Sequence, residues 1–281
     1  MKSVACFFTG GYTESNSMQI FLKKINEDIE LKQFCPNRTK KRKRPGFERD
    51  LIDEYSGLTG DALLHYVYVY LTNHKEEFSD FDAIIIEDDL DGLFKEELVP
   101  GDKTTLVSKR TQSFEDHCKT ISKTVREKLN KDETFPVIQF YAAPEIETWF
   151  LSDWNNSFGS VYGPKGMALL TSAENAYFSA RFHPYIRDHI LCQYNDCFEN
   201  YGYFAGTYRK LSDEIISSFD LFKVAIAEEA LPIAKTLSIK EELRYSKRIH
   251  GDAMLRQISP DTVRTKCTVY FQEAFSLLKG L

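Results

Sequence analysis

Apolar residues first gather in "SVACFFTGG" (3–11), a short run stopped by Gly10-Gly11, the pattern of a strand buried on both faces and ended by a turn. Met18, Phe21, Leu22, Ile25 and Ile29 then recur at three- and four-residue steps, which predicts an amphipathic helix beginning near Ser15 or Asn16. A second helix is predicted over "GDALLHYVYVYLTNH" (60–74), and it leads into "DFDAIII" (80–86), a second buried strand. "FEDHCKTISKTVREKL" (114–129) places Phe114, Cys118, Ile121, Val125 and Leu129 on one helical stripe. "FPVIQFYAA" (135–143) is a third strand, and Pro144 behind it suits the first turn of a further helix in "PEIETWFLSDW".

Strands alternating with helices to about residue 153 imply the α/β class, a mainly parallel sheet flanked by helices. Beyond 154 the pattern changes: "NNSFGSVYGPKG" is loop-like, the next stretch is rich in aromatics without a clean period, and 212–281 is helical again. The expected organisation is a core at 1–153 and a mainly helical C-terminal region at 154–281. Residues 35–50, "CPNRTKKRKRPGFERD", hold two Pro and one Gly and are expected as an exposed loop inserted in the core.

Charge sharpens the view of that loop. The net charge of −6 gives no overall basic field, yet Arg38, Lys40, Lys41, Arg42, Lys43 and Arg44 sit within seven consecutive positions. Such a run is either a solvated loop or a contact for a phosphate backbone. The six Cys form no CxxC pair, which suits reduced thiols in a cytoplasmic protein. No apolar run approaches the roughly 20 residues of a membrane span, and the N-terminus lacks the regions of a signal peptide.

The candidate chemistry lies at the strand ends. Glu14 follows the first strand, "IIIEDDLDG" crowds Glu87, Asp88, Asp89 and Asp91 at the end of the second, and Glu145 and Glu147 follow the third. In a parallel sheet these ends share one edge, so acids far apart in sequence can converge. Carboxylates without His or Cys at ligand spacing are hard oxygen donors, suited to Mg²⁺ or Mn²⁺ rather than Zn²⁺. Each group also has an ordinary role as a helix-first-turn acid or a solvent turn; it is the joint placement that favours a site. Asp89 and Asp91 stand two residues apart, so in extended backbone they face the same way and are the expected ligand pair. Glu87 shares their parity, and Asp88 is the reserve. Glu145 and Glu147 are about 200° apart on a helix, and Glu147 is the one expected to enter the site. In "RYSKRIHGDAML" (244–255), Lys247, Arg248 and His250 can set positive charge over a phosphate, or can simply form a basic helix end near Gly251. "GPKG" and "TGGYTES" make no Walker loop, no G-x-S-x-G occurs, and His189, Cys192 and Cys197 lack structural-zinc spacing.

"GYTE", "IIIEDDLDG" and "PEIETWFLSD", each after a strand, together resemble the three signature segments of the TOPRIM-like families allied to the OLD (overcoming lysogenization defect) nucleases, and are most similar to their stand-alone bacterial phage-defence members. The likeness covers about thirty residues, and the first motif reads "TGGYTE" where the family has an acid before the glycine. It implies a TOPRIM-like core whose divalent metal is bound by Glu14, by Asp89 with Asp91, and by Glu147 with Glu145 nearby. It also implies Lys247 as the cation facing the transition state. The expected function is thus Mg²⁺- or Mn²⁺-dependent cleavage of DNA or RNA, including tRNA, with Glu14 as general base or ligand. Arg38 to Arg44, Arg248 and His250 would hold the nucleic acid. A toxic effector of antiphage defence is implied, regulated by a partner ATPase because the chain has no ATP motif of its own, with a homodimer as a further partner state. The alternatives are a non-catalytic interaction subunit on the same fold and a metal-dependent phosphotransferase or phosphatase.

Overall fold

A computed structural model of the chain describes residues 1–36, 57–90, 103–162, 180–181, 199, 211–228 and 244–281. The predicted α/β architecture is present as a parallel sheet flanked by helices. Among the described residues the sheet has four strands, β1 (Lys2–Phe7), β2 (Ile29–Phe34), β3 (Ala83–Asp89) and β4 (Val137–Ala142), in the order β2-β1-β3-β4. Between them run α1 (Tyr12–Lys23), α2 (Asp61–Asn73) and α3 (Lys103–Leu129). After β4 come α4 (Glu147–Ser152), α5 (Phe158–Val161), α6 (Leu211–Glu228), α7 (Lys247–Gln257), α8 (Pro260–Lys266) and α9 (Gln272–Gly280). No described helix is long and apolar enough to cross a membrane.

Two expectations are corrected: Pro144 lies before α4 and not in its first turn, since the helix starts at Glu147 with Ile146 as its cap, and the first long stripe is shorter than it looks. The stripe from Met18 to Ile29 is not one helix: α1 starts at Tyr12 and stops at Lys23, and Ile29 opens β2. Asn26 breaks the period, because its side-chain oxygen accepts the Asp28 N–H at 3.0 Å and turns the chain. Beyond it Ile29 and Leu31 are buried while Glu30 and Lys32 are exposed, a period of two in "IELKQF" that marks a half-buried edge strand.

Strand alternation sorts the core into two layers. Val4, Cys6, Phe8, Ile85, Ile138 and Phe140 face α1, α4 and the C-terminal helices, where Phe21 stacks on Trp149 and Phe271 meets Trp149 edge-on. Ala5, Phe7, Ile84, Ile86 and Val137 face α2 and α3. Helices α7, α8 and α9 contribute Met254, Leu255, Val263 and Leu278, and Phe271 just before α9 joins them, in the same apolar cluster as the sheet. The C-terminal region therefore closes one face of the core instead of standing apart from it.

Two features of this topology position the site. The chain moves outward from β1 to β2, then returns to the other side of β1 for β3 and β4, so the sheet order reverses between β1 and β3. Ligand crevices of open α/β sheets form beyond the strand C-termini at such a reversal. Helix α7 is fastened along α1 at both ends: the Thr13 hydroxyl donates to the Lys247 carbonyl at 3.2 Å, and Lys24 Nζ donates to the Arg256 and Ile258 carbonyls at 2.6 and 2.8 Å.

Candidate functional site

The β1/β3 reversal is where the acidic residues collect. Glu14 lies in the first turn of α1, 1% exposed, in a position the helix dipole favours for a carboxylate. Its Oε1 pairs with Lys247 Nζ at 3.0 Å. Gly11 lies against its Oε2, and a Cβ at that glycine would occupy the carboxylate's space. Lys247, the first residue of α7, also reaches Asp89, with Nζ 3.7 Å from Oδ2. Glu147 opens α4 fully buried, and its Oε1 accepts the Tyr245 hydroxyl at 2.7 Å. Glu87, also fully buried, accepts the Thr9 N–H on Oε2 at 3.3 Å.

Parity decides the remaining acids. Glu87 and Asp89 share the β3 face of Ile85 and turn toward α1 and α7, whereas Asp88 turns to the other layer. There Asp88 accepts the Gly60 N–H on both oxygens, at 2.9 and 3.1 Å, at the start of α2. Its burial raises its pKa to about 7 against that bond. Glu145 is likewise committed elsewhere, accepting the Ser212 N–H and hydroxyl, both at 3.0 Å, at the start of α6. His250 turns inward, its Nδ1 accepting the Ser246 N–H at 3.2 Å with the Tyr162 hydroxyl at 3.1 Å, while Arg248 is exposed. Asp91, the basic run Arg38 to Arg44, and His189, Cys192 and Cys197 lie outside the described residues.

The assembled set is Glu14, Glu87, Asp89 and Glu147 around Lys247: four carboxyls and one ammonium. Burial first, then the neighbouring acids, raises Glu87 well above the usual carboxylate range. Burial also raises Asp89 and Glu147, with Lys247 opposing the rise at both. Burial alone would lower Lys247, but Glu14, Asp89 and Glu147 together hold its ammonium well above the ordinary lysine value. Each carboxyl still keeps one buried oxygen with no hydrogen-bond partner among the described residues: Glu14 Oε2, Glu87 Oε1, Asp89 Oδ1 and Glu147 Oε2. Buried acceptors of this kind are normally satisfied, so four in one cluster make it a place suited to a cation or donor.

As placed, these oxygens do not converge on one point: among the described residues no three His, Cys, Asp or Glu form a ready metal-ligand group. The donor chemistry nonetheless fits a hard divalent cation, being all oxygen, buried and short of positive charge. The residues that could hold such an ion are Glu14, Asp89 and Glu147, with Glu87 beside them. No family model matches the chain, and no curated protein or solved structure matches it significantly.

Sequence reasoning missed Tyr245, which orients Glu147, and read Gly251 as a helix end, whereas it lies inside α7 and lets that helix approach α1. Tyr245 lies two residues before Lys247 in "RYSKRIHG", so the parity that aims Lys247 was available for it as well.

Proposed function

We propose that the chain is a Mg²⁺- or Mn²⁺-dependent hydrolase of phosphodiester bonds in nucleic acid, a nuclease on a TOPRIM-like core. The observation that carries this reading is the meeting of Glu14, Glu87, Asp89 and Glu147, from three separate stretches of chain, each with an unpartnered buried oxygen, beside one lysine at the sheet reversal. Glu14, Asp89 and Glu147 would hold the ion. Bound there, a divalent cation supplies Lewis-acid polarisation of a phosphoryl oxygen. Tyr245 fixes the Glu147 carboxylate by its hydroxyl, and the Thr9 N–H fixes Glu87. The Lys247 ammonium, 3.0 Å from Glu14 Oε1, would offset negative charge on the reacting phosphate.

The cations of Arg38 to Arg44 in the sequence favour a nucleic-acid substrate. Pro36 packs on Gly10, and Leu58 donates to the Thr9 carbonyl at 2.7 Å, so both described ends of that segment meet the turn that leads to Glu14. The resemblance adds a role as a toxic defence effector controlled by a partner ATPase. A second reading, a non-catalytic subunit, draws on the Lys247–Glu14 pair, which already neutralises part of the cluster.

The test incubates the purified protein with single-stranded DNA, duplex DNA and bulk tRNA in Mn²⁺, in EDTA, and with mononucleotides as a phosphatase control. Cleavage of a polynucleotide that needs Mn²⁺ and falls about a hundredfold or more in Asp89→Asn is expected. Cleavage that survives EDTA, or no cleavage of any polynucleotide, would contradict the nuclease.

A further inference from the structure

Lys247 occupies the place where a cation is expected. Its Nζ lies 3.0 Å from Glu14 Oε1 and 3.7 Å from Asp89 Oδ2, so one ammonium spans two of the three acids proposed as ligands. The partners differ in freedom. The Glu14 and Asp89 side chains are 1% and 11% exposed, whereas the Lys247 side chain, on its long flexible stem, is 34% exposed. The carboxylates are fixed by packing, and the ammonium is the group that can leave.

Divalent ions sit about 2.0–2.6 Å from carboxylate oxygens, so an ion shared by Glu14 and Asp89 would lie within a few Å of the ammonium and repel it. An ion on the unpartnered oxygens alone would let the lysine stay. Against that arrangement, those oxygens form no ready ligand group while the acids face Lys247. An ion taken up by Glu14 and Asp89 therefore has to take the place that the ammonium holds between them.

We propose that Lys247 is the resident counter-cation of this site, and that it competes with the divalent ion for Glu14 and Asp89. The inference rests on the metal reading above and adds its regulation. Without metal, Lys247 keeps the buried acids from repelling one another. Metal binding releases its ammonium outward, to the side from which a phosphate arrives. The same lysine thus weakens metal binding and, once displaced, serves the substrate. The cluster is loaded only when metal is abundant or when an arriving polyanion draws the lysine away.

The decisive experiment is calorimetry of Mn²⁺ alone with wild type, Lys247→Gln and Lys247→Arg. Lys247→Gln keeps a hydrogen-bond donor but loses the charge, and it is expected to bind Mn²⁺ at least about tenfold more tightly. Lys247→Arg keeps the charge and is expected to stay near the wild type. Equal or weaker binding by Lys247→Gln overturns the competition while leaving the metal site standing. Absence of Mn²⁺ binding by all three proteins overturns both. A measurement on the wild type covers the case in which Lys247→Gln fails to fold. The ¹⁵N-detected ammonium resonance of the paired Lys247 is expected to vanish on titration with Mg²⁺, and its persistence at saturating Mg²⁺ would overturn the proposal.

Discussion

At Gly11 a single methyl group would enter the space of the Glu14 carboxylate. The Gly11 backbone, at φ −57°, is open to any residue, so the consequence of Gly11→Ala falls on Glu14 and not on the chain. This variant is expected to be destabilised by about 1–3 kcal/mol in denaturant unfolding and, in its folded form, to lose at least about tenfold in Mn²⁺ affinity by calorimetry. Unchanged affinity would show that Glu14 is not a ligand. The crowding of "EDDLD" resolves at the same scale. Alternation in β3 sends Glu87 and Asp89 to one layer and Asp88 to the other, where Asp88 accepts the Gly60 N–H just before α2. That split was legible from parity alone. The diversion of Glu145 to Ser212 was not, because it depends on where α6 begins, 67 residues away in sequence.

Among the elements, α1 and α7 decide the geometry of the site. Gly251 meets Thr13, and a Cβ there would clash with the Thr13 hydroxyl. In an exposed helix Gly→Ala stabilises by about 1 kcal/mol, so the sign of the effect is diagnostic. Gly251→Ala is expected instead to destabilise by about 1–3 kcal/mol in denaturant unfolding and to shift Lys247 from Glu14, and adding Thr13→Ala should recover most of the loss. Stabilisation by Gly251→Ala alone would show that the two helices are not in contact. His250 ties the start of α7 to Tyr162 at the end of α5. Burial first, then Arg244, lowers its pKa below the ordinary 6.5, and its Nδ1 accepts an N–H, which requires the neutral ring. Folding then favours the unprotonated form, so this contribution is complete above pH 6.5 and is lost as pH falls below it. Thermal melts across that range should show His250→Asn, which keeps an acceptor, to be less acid-sensitive than the wild type. Equal sensitivity would assign the acid loss to other groups. Most elements of the core were legible as periodic segments; β2 was obscured because Ile29 continues the helical spacing of α1 until Asn26 breaks it.

Across the whole molecule, the order β2-β1-β3-β4 puts its reversal beside Glu14 and Asp89, and the last seventy residues bring Lys247 and Tyr245 back to that crevice. Convergence of the acids followed from the parallel sheet, which strand and helix alternation already implied. The packing of the C-terminal helices into the same core did not, because their apolar faces are compatible with many partners until Phe271 meets Phe21 and Trp149. The central claim is that these distant segments build one divalent-metal site, and anomalous diffraction from crystals soaked in Mn²⁺ tests it most directly. A manganese peak ligated by Glu14, Asp89 and Glu147, with the Lys247 ammonium moved outward, is the predicted result. An empty cluster in which Lys247 still bridges Glu14 and Asp89 at saturating Mn²⁺ would contradict it.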